Sequence, residues 1–151
     1  MQRNMIEQFW YKYQEINPNA PEHFQAWSFG DNAQLADELA ELVLAGKKTA
    51  TTSNYILYGL TNEPLPKVGD LSIILNGSQL PVCVIETTRV YQTTFAQVSA
   101  EHARKEGEGD LSLAYWRKGH EKFFAAELEA INKPFTMDML VVCEEFKVIY
   151  Q

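Results

Sequence analysis

Apolar residues Ile6, Phe9, Trp10 and Tyr13 recur at the i, i+3, i+4, i+7 spacing of a single helical face, so the chain opens on an amphipathic helix that ends before Asn17-Pro18. The same period returns at Leu35, Leu39, Leu42 and Val43. Asp31 is placed to cap this second helix, Gln34 stands at the capping-box position, and Gly46 closes it. The middle of the chain carries strand-like apolar runs over 71–75 and 82–90, separated by a loop at 76–80 that begins with Asn76-Gly77, a dipeptide favoured in hairpins. A short helix is expected over 95–105. A long one follows over 112–132, carrying Leu113, Trp116, Phe123, Leu128 and Ile131, and a Val- and Phe-rich run over 139–150 closes the chain as a strand. Helices around an antiparallel middle, without βαβ alternation, predict an α+β fold with a small curled sheet or barrel.

A chain of 151 residues fits one domain over 1–151, with 1–26 as an N-terminal helical extension. No Gly/Ser-rich linker or internal repeat divides it, and Pro64-Leu65-Pro66 reads as a loop inside the domain. A hydrophobic content of 46%, with eight Phe, seven Tyr and three Trp, excludes a disordered chain and leaves aromatics for a pocket. The formal charge of -7 argues against duplex DNA as a partner, because binding a phosphate backbone relies on clustered Lys and Arg. A small nucleoside or a short single-stranded RNA in a local pocket fits this charge. Nothing near the N-terminus resembles a secretory signal, and no run has membrane-spanning length, so a cytoplasmic location is expected. Cys83 and Cys143, each inside an apolar run, are expected as buried reduced thiols.

Two segments concentrate chemistry. Gly46-Lys47-Lys48-Thr49-Ala50-Thr51-Thr52-Ser53 sets two lysines and four hydroxyls directly after a helix, and Glu106-Gly107-Glu108-Gly109-Asp110 sets three carboxylates among glycines. A lysine partly desolvated beside a hydroxyl can act as its base, which would make Thr51 a nucleophile and Lys48 its activator if the backbone between them is turn-like. The alternative is a solvated lysine pair favoured by the helix dipole. Glu106 could protonate a leaving group or hold Lys48 by an ion pair, whereas Asp110 or Ser112 suits a cap for the next helix. Lys47, Thr49, Ser53 and Glu108, with Arg89, Tyr115 and Trp116, form the candidate substrate-binding set. Tyr115, Trp116 and Trp27 could stack a base, and core packing is the competing fate of each. No His-x-His, HExxH or Cys-x-x-Cys spacing exists, so neither a metal nor an obligatory cofactor is expected. His120 reads as a packed residue near Trp116 and Phe123.

Taken together, the Gly-Lys-Lys-Thr-Ala-Thr loop, Pro66-Lys67-Val68-Gly69-Asp70 before a strand, and Glu106-Gly107-Glu108-Gly109-Asp110-Leu111-Ser112-Leu113 with Trp116-Arg117 resemble an ASCH domain, from about Trp27 to Tyr150. The resemblance implies a PUA-like fold, a small β-barrel with flanking helices and a cleft, and an association with RNA and modified nucleosides. Small bacterial members are N4-acetylcytidine amidohydrolases that use a Thr-Lys-Glu set. Their Gly-x-Lys-Thr-x-Thr segment matches Gly46 to Thr51 and their His-Ala-x-x-Glu segment matches His102 to Glu106. On that resemblance Thr51 is the nucleophile, Lys48 its base, and Glu106 the acid or orienting group for the leaving cytosine amine. A non-catalytic RNA-binding or regulatory module and a ribonuclease acting on single-stranded RNA are the competing functions. The chain carries no signal for an oligomeric state.

Overall fold

The computed structural model describes residues 2–151, with side chains described from Met5 onward. In chain order it runs α1 Gln2–Ile16, β1 Gln25–Trp27, α2 Ala33–Leu44, β2 Ala50–Asn54, α3 Tyr55–Thr61, β3 Leu71–Leu75, β4 Pro81–Thr94, a 3-10 turn at Phe95–Gln97, α4 Ala100–Glu106, α5 Leu113–Glu129 and β5 Leu140–Tyr150. The strands make one five-stranded sheet in the order β1-β3-β4-β5-β2, parallel only between β1 and β3. The long β4–β5 pair shifts register at Val84/Ile85 and again at Thr87/Arg89. Such bulges bend and twist a strand, and the sheet curls into a half-barrel with β1 and β2 as its edges. The α+β class and the curled sheet are those expected from the apolar pattern.

Three apolar clusters hold the layers together. The stripe of α1 delivers Trp10 and Tyr13 onto Ile73, Leu75 and Val84 of the sheet. The stripe of α2 delivers Leu39 and Val43 onto Ile74, Cys83, Ile85 and Phe146. Trp116 and Phe124 of α5 pack with Phe95, Val98, Val141 and Cys143. Cys83 and Cys143 are both buried and unbridged.

Local chemistry moved several boundaries from their expected places. The cap of α2 is Asn32, not Asp31: its backbone is extended and its Oδ1 accepts from Leu35 N at 2.8 Å, which takes Gln34 out of the capping-box position. The helix ends as expected at Gly46, whose φ of 76° permits a Schellman turn with Lys47 N on Leu42 O at 2.9 Å and Gly46 N on Val43 O at 3.0 Å. The 95–105 helix is two pieces, because Ser99 starts a new helix by accepting from His102 N. Ser112, rather than Asp110, caps α5. Strand β1 is three residues long, too short for an alternating pattern, and α3 buries no residue, so neither left an apolar signature.

Candidate active site

The Schellman turn aims residues 47–49 out of α2 and across to the C-terminus of α4. There Thr49 N donates to Lys105 O at 2.7 Å, and Thr49 O accepts from Phe146 N at 3.0 Å. The crossing is close enough to require glycine on the opposite side: a Cβ on Gly107, which has a φ of 76°, would lie 2.3 Å from Lys47 O. The cation-and-hydroxyl loop and the carboxylate loop therefore face one another.

Between them Lys48 is buried, at 2% exposure, under four acceptors. Its Nζ donates to Ala50 O at 3.0 Å, Glu106 Oε1 at 3.2 Å, Glu108 Oε2 at 3.2 Å and, more weakly, Glu106 O at 3.5 Å. It also sits 5.1 Å from the centre of the Phe29 ring. Glu106 is buried too, and its Oε2 accepts from Thr52 Oγ1 at 2.7 Å and Trp116 Nε1 at 2.6 Å. Two histidines complete the cluster: His102 Nε2 lies 2.7 Å from Thr52 Oγ1 and 3.2 Å from Glu106 Oε2, and His120 Nε2 lies 3.4 Å from Glu106 Oε1. Because the Thr52 hydroxyl donates to Glu106, its oxygen is free to accept from His102, which places the hydrogen on His102 Nε2. A carbonyl can only accept, so His120 Nδ1, 2.9 Å from Trp116 O, carries a hydrogen as well.

Burial alone would raise the Glu106 carboxyl, but the Lys48 charge and the donors His102 and His120 outweigh it and hold Glu106 well below the usual carboxylate range. Burial likewise pushes His102 down, yet Cys143 and Glu106 beside the ring raise it to about 9. The Cys143 thiol does not meet hydrogen-bond geometry at His102 Nδ1, which has no partner, so Glu106 is the firmer of those two causes. The cluster is thus a carboxylate pinned between cations, a state that a buried group keeps only when each partner stays in place. Oxygens of Glu106 and Glu108 and a nitrogen of His120 lie within 4.8 Å of one another, a donor set able to ligate a divalent ion. Lys48 Nζ, 3.2 Å from an oxygen of each carboxylate, supplies the positive charge that such an ion would bring.

The cluster opens onto a cavity of about 400 Å³ between α2 and α5. Lys48, Thr51, Glu106, Glu108, Tyr115 and Trp116, all singled out in the sequence, line it. Thr51 lines it from β2, which begins at Ala50 just past the irregular residues 47–49. Trp116 is both core and wall: it packs on Phe95 at 5.2 Å, stacks on His120 at 4.2 Å and faces Glu106. Tyr115 is half-exposed at the rim, with its ring against Gly109. The other named residues lie elsewhere. Lys47 is exposed, Thr49 joins α4 to the sheet, and Arg89 pairs on the surface with Glu145 at 2.9 Å. Ser53 bonds Tyr58 Oη at 2.7 Å and, with Trp27, lines a second cavity. Arg117 donates to Ala96 O. Sequence reasoning passed over Thr52 and the contact of His120 with Glu106. Thr52 was marked only by its position two residues after Ala50 on the same strand face, and His120 by standing four residues after Trp116.

The ASCH domain family model matches residues 25–150. The chain belongs to the ASCH domain family. An ASCH domain from Lactobacillus crispatus JV V101 is 36% identical over 99% of this chain and 94% of its own, with a TM-score of 0.87. Protein EF3133 from Enterococcus faecalis V583 is also 36% identical, over 99% of this chain and 90% of its own, with a TM-score of 0.91. The hypothetical protein PH0355, at 18% identity and a TM-score of 0.54, shares the fold alone. No curated protein matches the chain. In this ASCH domain the PUA-like sheet carries the buried cluster at one edge, and no helix among the described residues is long and apolar enough to cross a membrane.

Proposed function

We propose that this ASCH domain is an amidohydrolase that removes the acyl group from an N-acylated cytosine nucleoside of the N4-acetylcytidine kind. The observation that carries the reading is the buried Lys48–Glu106 pair opening onto a cavity with Thr51 in its wall. In the proposed reaction Lys48, an ammonium in the resting cluster, first releases a proton to bulk water, and Thr51 Oγ then attacks the amide carbon as its own proton passes to the amine so formed. The tetrahedral intermediate collapses as the Lys48 ammonium returns a proton to the departing cytosine N4, leaving an acyl-threonine ester that water hydrolyses. Of the two roles open to Glu106, a carboxylate held far below its ordinary range supports the orienting one: it keeps its charge throughout and stabilises the ammonium that the attack restores. The backbone N–H groups of residues 47–49 are committed to Leu42 O and Lys105 O, so the oxyanion must be met by other donors.

The test is the ultraviolet absorbance of N4-acetylcytidine, whose chromophore changes on deacylation, with wild type beside Lys48→Ala and Thr51→Ala. Turnover by wild type and a loss of about a hundredfold or more in both variants is the expected result. Folded wild type that leaves the compound intact at high enzyme concentration sinks the proposal.

A second reading, binding of short single-stranded RNA without catalysis, draws on the family's association with RNA and on Tyr115, which is 50% exposed at the cavity rim and able to stack a base. Its mark is affinity that falls steeply with salt.

A further inference from the structure

Strand β2 has two faces. Thr52 points to α4, where it meets His102 and Glu106, while Thr51 and Ser53 point the other way, into the curl of the sheet. There a second cavity, of about 550 Å³, lies between the two edge strands, with Trp27 from β1 on one side and Ser53 from β2 on the other. Thr51 lines both cavities. Directly opposite Thr51 across the β2–β5 ladder stands Glu144, so the two side chains share a face and are near neighbours.

The chemistry of the second cavity is the inverse of the first. Its charged lining is made of carboxylates, Glu144 and Asp70 within and Glu63 toward the mouth, and none of its lining residues, among the described ones, is Lys, Arg or His. The remaining polar side chains are the Gln25 amide and a set of hydroxyls, including the Ser53–Tyr58 pair, and Trp27 offers an aromatic face. Lys67 meets Asp70 through its backbone N–H, on Oδ2 at 2.9 Å, and through an ammonium 3.9 Å from Oδ1 on a side chain that is 82% exposed.

We propose that this second cavity is a sugar subsite of the same active site: the planar acylated base occupies the first cavity, and the ribose passes Thr51 so that its hydroxyls donate to Glu144 and Asp70. The inference rests on the deacylation reading. Carboxylates accept and never donate when ionised, so they suit a group rich in O–H donors, as an acidic side chain suits a ribose hydroxyl in dinucleotide-binding folds. The hydroxyls of Ser53 and Tyr58 can serve as either partner. A phosphate would bring acceptors to acceptors and negative charge to negative charge, so the subsite selects a free nucleoside over its 5′-phosphate. Burial, and then the charge of Asp70, raises Glu144 to about 7 against the opposing Thr87 hydroxyl. Donation from two ribose hydroxyls would favour its ionised form, so the sugar itself completes the site.

The experiment compares kcat/KM for N4-acetylcytosine, N4-acetylcytidine and N4-acetylcytidine 5′-monophosphate in wild type, Glu144→Gln and Ser53→Ala, each variant checked for folding by circular dichroism. Wild type is expected to favour the nucleoside over both the free base and the monophosphate by about tenfold or more, tenfold being the worth of one weak hydrogen bond to a charged group. In Glu144→Gln the ratio of nucleoside to base falls toward one and the penalty against the monophosphate shrinks. Ser53→Ala lowers the same ratio by a smaller factor, which keeps the test alive if Glu144→Gln fails to fold. Wild type that deacylates all three probes equally, or variants that keep the wild-type ratios, overturns the subsite while leaving the hydrolase standing. No deacylation of any probe by folded wild type removes the hydrolase and the subsite with it.

Discussion

At the scale of single residues, the site turns on what happens to a buried carboxylate when its cation is taken away. Lys48 and Glu106 are both nearly inaccessible to water, and their 3.2 Å contact is embedded in further donors and acceptors rather than in solvent. Removing one member of such a pair strands the other charge and typically costs about 3–5 kcal/mol, whereas removing both is far milder. Lys48→Met is therefore expected to lower stability by about 3–5 kcal/mol in urea denaturation, and adding Glu106→Gln to it is expected to recover at least half of that loss. Equal or additive losses in the double variant would show that the two side chains are not energetically coupled. The same reasoning explains why a lysine that looked like one of a solvated pair is instead the centre of the site. Lys47 keeps the solvated role, and the Schellman turn divides the two neighbours between water and interior.

At the scale of elements, the crossing of the 47–49 segment over the α4 C-terminus positions everything else, and Gly107 is its tightest point. A Cβ there would meet Lys47 O at 2.3 Å and Lys48 N at 3.0 Å, all backbone, at a φ of 76° that L-residues rarely adopt. Gly107→Ala is expected to cost about 2 kcal/mol or more and to weaken the proposed deacylation through misplacement of Lys48. Gly59, where a Cβ meets nothing within 4 Å and no positive φ is required, is the control: Gly59→Ala is expected to be neutral or slightly stabilising in thermal melts. If the two substitutions have the same effect, the crossing is not a constraint. How much was legible in the sequence follows from the same distinction between local and distant causes. Helices α1, α2 and α5 announce themselves because their apolar stripes repeat over three or more turns, and the paired glycine-rich loops stand out by composition. What remained hidden depends on partners far along the chain. The pairing of β1 with β3, the fall of Thr52 rather than Thr51 onto His102 and Glu106, and the closure of His120 over Glu106 are set by register and crossing, which no local period encodes.

At the scale of the whole molecule, three titrating groups, Glu144, His102 and Glu106, combine into a stability profile that leans to the acid side of neutrality. Glu144 is raised from 4.5 to about 7 by burial and the nearby Asp70, so between those values the folded protein holds a proton that the unfolded chain has released, and stability is lost as pH climbs through the window. His102 is raised from 6.5 to about 9 once Cys143 and Glu106 overcome its burial; its contribution is complete below 6.5 and disappears as pH rises through 9. Glu106 acts in the opposite sense, since its carboxylate is held well below 4.5, so its contribution is present above that value and lost on acidification. The formal charge of -7 at neutral pH adds self-repulsion that fades toward the pI near 4.9. The urea midpoint, followed by tryptophan fluorescence, is therefore expected to peak on the acid side of pH 6.5 and to fall continuously toward pH 9.5. Glu144→Gln is expected to flatten the first part of that fall. At 1.36 kcal/mol per unit, a rise from 4.5 to about 7 sets a ceiling of about 3 kcal/mol on the gain at alkaline pH. A wild-type midpoint that keeps increasing to pH 8, or a Glu144→Gln profile parallel to wild type, would mean that Glu144 and His102 titrate in the fold much as they do in the unfolded chain. In the former case the hydroxyl-lined cavity beside Thr51 would be open to water rather than shielded by the curl of the sheet.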